Sequence, residues 1–143
     1  MLIPRLPCLL TILVATLGCS SEPFERASAK GQVTFSGQPI AKGTIVFVPQ
    51  GDKPGASATA DVVDGKYELP KQRGPSVGTH RVEILATRVR GKQEAGMPYP
   101  PGTLVDMTEQ YIPAQFNHQS TLKVEIKAGA NQHDFKLEAQ AKR

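Results

Sequence analysis

The chain has no tryptophan, few aromatic residues and only two cysteines among its 143 residues. It also lacks any block of five or six like charges, and its formal net charge of +4 results from 17 basic and 13 acidic residues that are scattered along it. This balance is typical of a solvated surface and argues against nucleic-acid binding. Glycine (13) and proline (12) are abundant, and the length suits one domain with one core. The composition therefore favours short strands joined by turns.

The first eighteen residues have the layout of a secretory signal peptide. Arg5 precedes an uncharged apolar run at residues 6–17, and the small residue Gly18 stands before Cys19. The apolar run is too short to cross a bilayer comfortably, which argues against a transmembrane anchor. We therefore predict that residues 1–18 are removed from the mature protein.

The residues around this cleavage point, Ala15-Thr16-Leu17-Gly18-Cys19, resemble the lipobox of bacterial lipoproteins. In that family the cysteine thiol receives a diacylglyceryl group, with acyl chains such as palmitate, and the cysteine then becomes the first residue. Thr16 departs from the usual Leu, Val or Ile. The resemblance implies cleavage between Gly18 and Cys19 and lipid attachment at Cys19. It places the chain in the cell envelope, on the periplasmic or outer-surface side of a bacterial membrane. The alternative is an ordinary secretory signal, with Cys19 incidental.

The cysteine count favours lipid attachment. Cys8 lies in the apolar run and leaves with the signal, so the mature chain keeps Cys19 alone. No intramolecular disulfide is then possible, and the fold must be held by burial and hydrogen bonding. A free thiol on an exported protein is a liability, whereas a cysteine with several acyl chains gives stable membrane attachment.

Beyond a polar tether predicted at residues 19–29, apolar and polar residues alternate with the period of β-strands. Asp64-Gly65 is the strongest hairpin signal, because both residues tolerate a positive φ. No segment has a convincing apolar stripe at helical spacing. These patterns predict an all-β fold, an antiparallel β-sandwich of about seven strands at residues 30–138, followed by a tail at 139–143. The apolar positions of the predicted strands are Val33 and Phe35, Ile45 and Phe47, Val82, Ile84 and Ala86, Leu122, Val124 and Ile126, and Phe135 and Leu137.

The same region resembles the carboxypeptidase regulatory-like, or transthyretin-like, domain that is found in many small bacterial lipoproteins. The resemblance covers about residues 30–138 and rests on GQVTFSGQPIAKGTIVFVP, ADVVDGKYELP, GTHRVEI and YIPAQFNHQSTLKVEIKAGANQHDFKL. It implies a prealbumin-like, Ig-like sandwich without enzymatic activity, since in carboxypeptidases the module is an accessory to a separate catalytic domain. The sandwich class also includes starch-binding modules, which makes a carbohydrate-binding module at the cell surface the alternative. The absence of tryptophan argues against that alternative, because such modules usually stack sugars on exposed aromatic platforms.

The residues that could carry chemistry lack the partners that a metal or catalytic site needs. His80 and His133 are predicted to point outward at strand beginnings, and His118 lies in a turn-like segment, with no HxH or HExxH spacing. Asp61 and Asp64 lack the further oxygen ligands of a calcium loop, and the hairpin turn explains them better. Two serines match short catalytic patterns, Ser76 in Gly74-Pro75-Ser76-Val77-Gly78 (GxSxG) and Ser120 in Ser120-Thr121-Leu122-Lys123 (SxxK), but no helix is predicted after either serine and a triad cannot be inferred from such short matches. We therefore predict no catalytic residues, no metal site and no cofactor.

The longest segment without clear periodicity is a predicted loop at residues 87–110. Long loops in compact domains usually bind something or are mobile. Arg88, Arg90 and Lys92 could form a patch for anionic polysaccharide or lipid headgroups, or only a solvated strand end. Tyr99 lies in MPYPP, which favours polyproline geometry with the ring exposed. A binding loop and a floppy insertion both remain open.

The function expected from the sequence is that of a non-catalytic, lipid-anchored envelope protein, a binding or structural module. Its expected partners are the membrane, through Cys19, and an unknown envelope protein or polysaccharide, but not nucleic acid. An enzyme or enzyme inhibitor would require a convergent polar site, which the residues do not display.

Overall fold

The computed structural model describes residues 22–53 and 55–139, which form a mostly antiparallel β-structure. The helical elements of this part are two short 3-10 turns, Lys71–Arg73 and Ala114–Phe116. The predicted all-β class is confirmed. The strands are β1 (Ser28–Phe35), β2 (Gln38–Pro39), β3 (Lys42–Pro49), β4 (Ala58–Val63), β5 (Lys66–Leu69), β6 (Gly78–Glu94), β7 (Leu104–Gln110), β8 (Lys123–Ile126), β9 (Ala130–Gln132) and β10 (Phe135–Leu137).

The strands pair in the order β10-β1-β5-β4-β3-β6-β7, with β2 and β9 also paired to β1, and β8 paired to β6. Seven of the ten described strands correspond to the predicted ones, and β2, β7 and β9 are additional. The pairing is not antiparallel throughout, since β1 runs parallel to β9 and β10. Parallel pairing is possible here because most of the domain separates β1 from these strands in the chain.

The core contains the apolar positions of the alternating strands. Ile45 and Phe47 of β3, and Val82, Ile84 and Ala86 of β6, are buried as predicted. Val46 and Val48, on the other side of β3, are half-buried. The core is completed by other buried side chains, among them Val33, Ile40, Val62, Tyr67, Leu69, Ile126 and Leu137.

The predicted hairpin at Asp64-Gly65 is confirmed. Asp64 has φ 49° and Gly65 has φ 74°, so both central residues of the turn between β4 and β5 are in the left-handed region. This is the requirement of a type I′ turn, whose twist matches that of the flanking strands. The Gly65 carbonyl accepts a hydrogen bond from the Val33 amide at 2.7 Å, which joins the turn to β1.

The N-terminal end of the domain lies beside the beginning of β6. The Ala27 amide donates to the Pro75 carbonyl at 2.9 Å, and the Val77 amide donates to the Glu25 carbonyl at 2.8 Å. Ala27 is buried, and β1 begins two residues before the predicted boundary of residue 30. The predicted signal segment and Cys19 lie outside the described residues.

The connection from β7 to β8 is held by two buried polar side chains, Asn117 within the connection and Ser120 against β6. The Asn117 side-chain amide donates to the Ile112 carbonyl at 3.1 Å. The Ser120 hydroxyl donates to the Val82 carbonyl and accepts from the Leu122 amide. These contacts hold the chain where it returns from β7 to the body of the domain.

Candidate functional site: the hairpin arm

Residues 87–110 form a two-stranded hairpin that leaves the body of the domain, here called the arm. β6 is 17 residues long, and its second half pairs with β7 from Thr87 opposite Gln110 to Glu94 opposite Leu104. The prediction of a loop without structure of its own is therefore wrong for this segment.

A β-bulge at Arg90 explains why alternation is hard to see in the sequence of the arm. Val89 lies opposite Thr108 and Gly91 lies opposite Met107, so Arg90 is the extra residue. A bulge shifts the phase of alternation. In addition, neither face of the arm is buried, so neither face has to be apolar. The sequence therefore does not alternate clearly between apolar and polar residues.

The register divides the side chains of the arm between two faces, because side chains alternate along each strand and cross-strand partners share a face. The inner face continues from the core residue Ala86, and the outer face continues from Leu85. The inner face carries Arg88, Arg90, Gln93, Val105, Met107 and Glu109. The outer face carries Val89, Lys92, Glu94, Leu104, Asp106 and Thr108.

On the inner face, two of the predicted binding residues pair with one carboxylate. Arg88 Nε donates to Glu109 Oε1 at 2.7 Å, and Arg90 Nη1 lies 3.8 Å from Glu109 Oε2. The Arg88 guanidinium also lies 5.5 Å from the centre of the Tyr111 ring. These pairs are largely exposed and contribute little to stability. Arg88 and Arg90 are therefore engaged within the arm.

On the outer face, exposed apolar side chains surround a cross-strand charge pair. Lys92 lies opposite Asp106 in the register. Val89 is 58% exposed and Leu104 is 62% exposed. Apolar residues exposed together on one surface are typical of an interaction site. Val89 and Leu104 are not among the predicted site residues, although the alternation of Val105 and Met107 with polar residues is a short signal that could have found β7.

A groove of about 480 Å³ lies where the outer face meets the body of the domain. It forms beside Gly43 of β3, where a Cβ atom would lie 2.6 Å from the Leu85 carbonyl oxygen, so glycine permits β3 to approach β6 closely. Its lining includes Lys42, Thr44, Asp61, Leu85, Val89 and Asp106. The outer face therefore continues into a concave surface at its base.

Both edges of the arm are open in the part of the chain that the structure describes. β3 pairs with β6 only as far as Ala86, and β7 pairs with β6 alone. Open edges present unpaired backbone N–H and C=O groups and can accept another strand. An isolated two-stranded hairpin is only marginally stable in water. The arm is therefore a surface that a partner would stabilise.

The tip of the arm, residues 95–103, is held by its own hydrogen bonds. The Gly102 amide donates to Glu94 Oε1 at 2.6 Å, and the Thr103 hydroxyl donates to the Pro100 carbonyl at 2.7 Å. The tip forms turns, so the predicted polyproline geometry is wrong. The predicted exposure of Tyr99 is confirmed, since it is 55% exposed. The structure thus places Arg88 and Arg90 on one face, Lys92 on the other and Tyr99 at the tip.

His80 is in the core, so its predicted outward position is wrong. It alternates in phase with Val82 and Ile84, and it is 1% exposed. Its Nδ1 lies 3.1 Å from the Gly78 carbonyl oxygen, which can only accept, so Nδ1 carries the proton. Nε2 then accepts from the Ser76 hydroxyl at 3.3 Å. Burial lowers the pKa of His80, while the Gly78 carbonyl opposes that shift.

The other histidines lie apart from this pair. His118 is exposed, and His133 is half-buried in the segment before β10. Within residues 22–53 and 55–139, no group of three His, Cys, Asp or Glu side chains could hold a metal ion. Asp64 lies in the turn described above, and Asp61 is an exposed residue of β4.

Neither a protein family, nor a curated protein, nor a solved structure matches this chain. The resemblance to lipoproteins and to the carboxypeptidase regulatory-like domain therefore stays a prediction. None of the helical elements in the described ranges has the length and apolar character that a membrane span requires.

Proposed function

We propose that this chain is a non-catalytic, lipid-anchored protein of the bacterial cell envelope that binds a partner through its arm. The observation that carries the proposal is the arm itself, which combines exposed apolar side chains with two open strand edges. A domain that needed the arm only as a connection could join Thr87 to Gln110 by a two-residue turn, because these residues are cross-strand partners.

The position of the N-terminal end of the domain supports a role for the arm away from the membrane. Two residues lie between Cys19 and Glu22, and these three residue steps can span at most about 11 Å. The first described residues lie beside the beginning of β6, whereas the arm is the other end of that strand. Sixteen residue steps along β6 correspond to about 50 Å. An anchor at Cys19 would therefore hold the tip of the arm far from its own membrane.

For the body of the domain we propose the prealbumin-like sandwich that the sequence resembles. Its support is that two long strands change partners midway. β1 pairs with β5 and β9 in its first half and with β2 and β10 at its end. β6 pairs with β8 at its beginning and with β7 in its second half. Strands that pass from one sheet to another in this way are found at the corners of two packed sheets.

The Ser76–His80 pair fits a structural role better than a catalytic one. Ser76 is 2% exposed. A nucleophile must reach the substrate, whereas Ser76 and His80 are almost fully buried where they line a groove of about 440 Å³. A sugar platform is also a poor fit, because Tyr67 is buried and Tyr111 lies beneath Arg88, which leaves Tyr99 alone at the tip. A protein partner is therefore favoured over a polysaccharide.

The anchor is tested with two cysteine variants of the full chain in a bacterial host that processes lipoproteins. We expect Cys19→Ser to lose labelled palmitate and to leave the detergent fraction, and Cys8→Ser, the matched control, to behave as the wild type. Labelling of the Cys19→Ser protein would contradict the proposal.

Binding through the arm is tested by capture from envelope extracts. In the variant, Val89 is joined to Thr108 by Asn-Gly, since these residues face each other across the strands. We expect a folded domain that no longer captures the partner. Unchanged capture would place the binding surface elsewhere on the domain.

A further inference from the structure

The most exposed apolar positions within the strands of the arm lie on its outer face, on either side of a charge pair. We propose that the outer face of the arm binds the outer face of a second copy of this chain. This inference rests on the proposed lipid anchor, because the anchor determines how two neighbouring copies meet.

Anchoring in one membrane brings two arms together side by side at the same height. The short link from Cys19 to the first described residue fixes the beginning of β6 near the membrane in every copy. Two such copies are related by a two-fold axis that runs between the two arms and parallel to them. A closed two-fold contact uses the same surface of each partner. Residues at equal height on the two strands then face one another.

Charge complementarity selects the outer face. Since Lys92 and Asp106 are cross-strand partners, they lie at equal height. The two-fold axis places Lys92 of one copy opposite Asp106 of the other, and the reciprocal contact forms as well. Val89 and Leu104, which flank these charges, face Thr108 and Glu94 of the other copy in the same contact. On the inner face, by contrast, Glu109 is already engaged by Arg88 and Arg90.

Pairing of the open strand edges does not fit two copies in the same membrane. Antiparallel pairing of β7 with its copy would direct the two arms in opposite directions, so the two N-termini would lie at opposite ends of the pair. Packing of the outer faces keeps the two N-termini at the same end.

The size of the outer face predicts that the pairing depends on the membrane. A face two strands wide falls well short of the about 800 Å² that each partner buries in a stable interface. Attachment to one surface raises the effective concentration of neighbouring arms, which compensates for a small contact. We therefore expect dimers of the anchored chain and monomers of the Cys19→Ser protein in dilute solution.

The first experiment is cysteine crosslinking of the full chain in isolated membranes with a short bis-maleimide. With Cys8 removed and Cys19 acylated, an added cysteine is the reactive thiol. Leu104→Cys, on the outer face, should give a crosslinked dimer. Met107→Cys, which is exposed on the inner face, is the matched control and should give a several-fold lower yield of crosslinked dimer.

The second experiment reverses the charges in the Leu104→Cys background. Lys92→Asp or Asp106→Lys alone should lower the dimer yield about fivefold, because two exposed ion pairs become repulsive at once. When the two variants carry different tags and are expressed together, the mixed dimer should recover. Within its own arm, each variant still has two like charges at positions 92 and 106. Recovery of the dimer yield therefore reports the contact between copies and cannot come from repaired folding.

The membrane fraction is measured in the same samples. A chain that is absent from membranes overturns both the anchor and the pairing, whereas a membrane-bound monomer overturns the pairing alone. The pairing is also contradicted by equal crosslinking of Met107→Cys, by absence of the mixed dimer, or by a crosslink from Leu104→Cys to a different protein.

Discussion

Ser76 and His80 form a hydrogen bond of 3.3 Å inside the core, beside the segment through which the chain enters the domain. The imidazole donates from Nδ1 to the Gly78 carbonyl, so both ring nitrogens are satisfied while the ring is neutral. Protonation would place a charge in this buried position, which is unfavourable. The pair therefore makes the folded state sensitive to acid.

The free energy of unfolding should fall as the pH falls below about 6.5, the ordinary pKa of an unfolded histidine. The pKa of folded His80 is lowered by burial, so the unfolded state binds the proton more readily between the two values. The stabilisation is fully present above the unfolded pKa and is lost as the pH falls through the folded pKa. Urea unfolding between about pH 5 and pH 8 measures this slope.

The matched pair for this prediction is His80→Gln and His118→Gln. His118 is exposed, so its variant should keep the slope of the wild type, whereas His80→Gln should reduce it. An unchanged slope in His80→Gln would show that other groups cause the acid sensitivity.

An added methyl group should destabilise the domain at one glycine of the sheet and have little effect at another. At Gly31 of β1 a Cβ atom would clash with the His133 carbonyl, whereas at Gly91 in the arm it meets no atom within 4 Å. We expect Gly31→Ala to cost at least about 2 kcal/mol and Gly91→Ala to remain within about 0.5 kcal/mol of the wild type. Thermal unfolding distinguishes them, and equal stabilities would contradict the close approach of β1 to the segment before β10.

Tyr67 should remain protonated in the folded domain at alkaline pH. Burial raises its pKa, and its hydroxyl donates to the His133 carbonyl at 2.8 Å. Stability should therefore decline as the pH rises above about 10, the pKa of a free tyrosine. The phenolate absorbance of the folded wild type and of Tyr67→Phe should coincide until unfolding begins. Tyr67→Phe should also cost about 1 kcal/mol at neutral pH through the lost hydrogen bond.

Backbone amides of the arm should exchange hydrogen faster than those of β3. The arm buries neither face, whereas Ile45 and Phe47 anchor β3 in the core. In the Cys19→Ser protein, we expect protection at Val89 to be at least about tenfold lower than at Ile45. Equal protection would mean that the arm is stabilised by contacts that its exposure does not suggest.

The strands that are readable from the sequence are those with one apolar side. Val82, Ile84 and Ala86 are buried and alternate with the less buried Arg81, Glu83 and Leu85, because one face of β6 is buried there. The turn at Asp64-Gly65 is equally local, since its two positive φ angles restrict the residue types. Such features depend on neighbours in the chain and can be predicted without the fold.

The features that the sequence does not predict depend on contacts between distant parts of the chain, or lie in strands without clear alternation of apolar and polar residues. The parallel pairing of β1 with β10 joins opposite ends of the domain. His80 follows the same alternation as Val82, but a polar residue type suggests the surface unless its Ser76 partner is known. The arm continues β6 beyond the core, where exposure removes the apolar periodicity and Arg90 interrupts the phase.

The most direct test of the central claim is the mass of the N-terminal peptide of the mature protein, isolated from membranes of a host that processes lipoproteins. We predict that the chain begins at Cys19 and that this residue carries a diacylglyceryl group. A mature chain that begins at another residue, or at an unmodified Cys19, would contradict the anchor and with it the orientation of the arm.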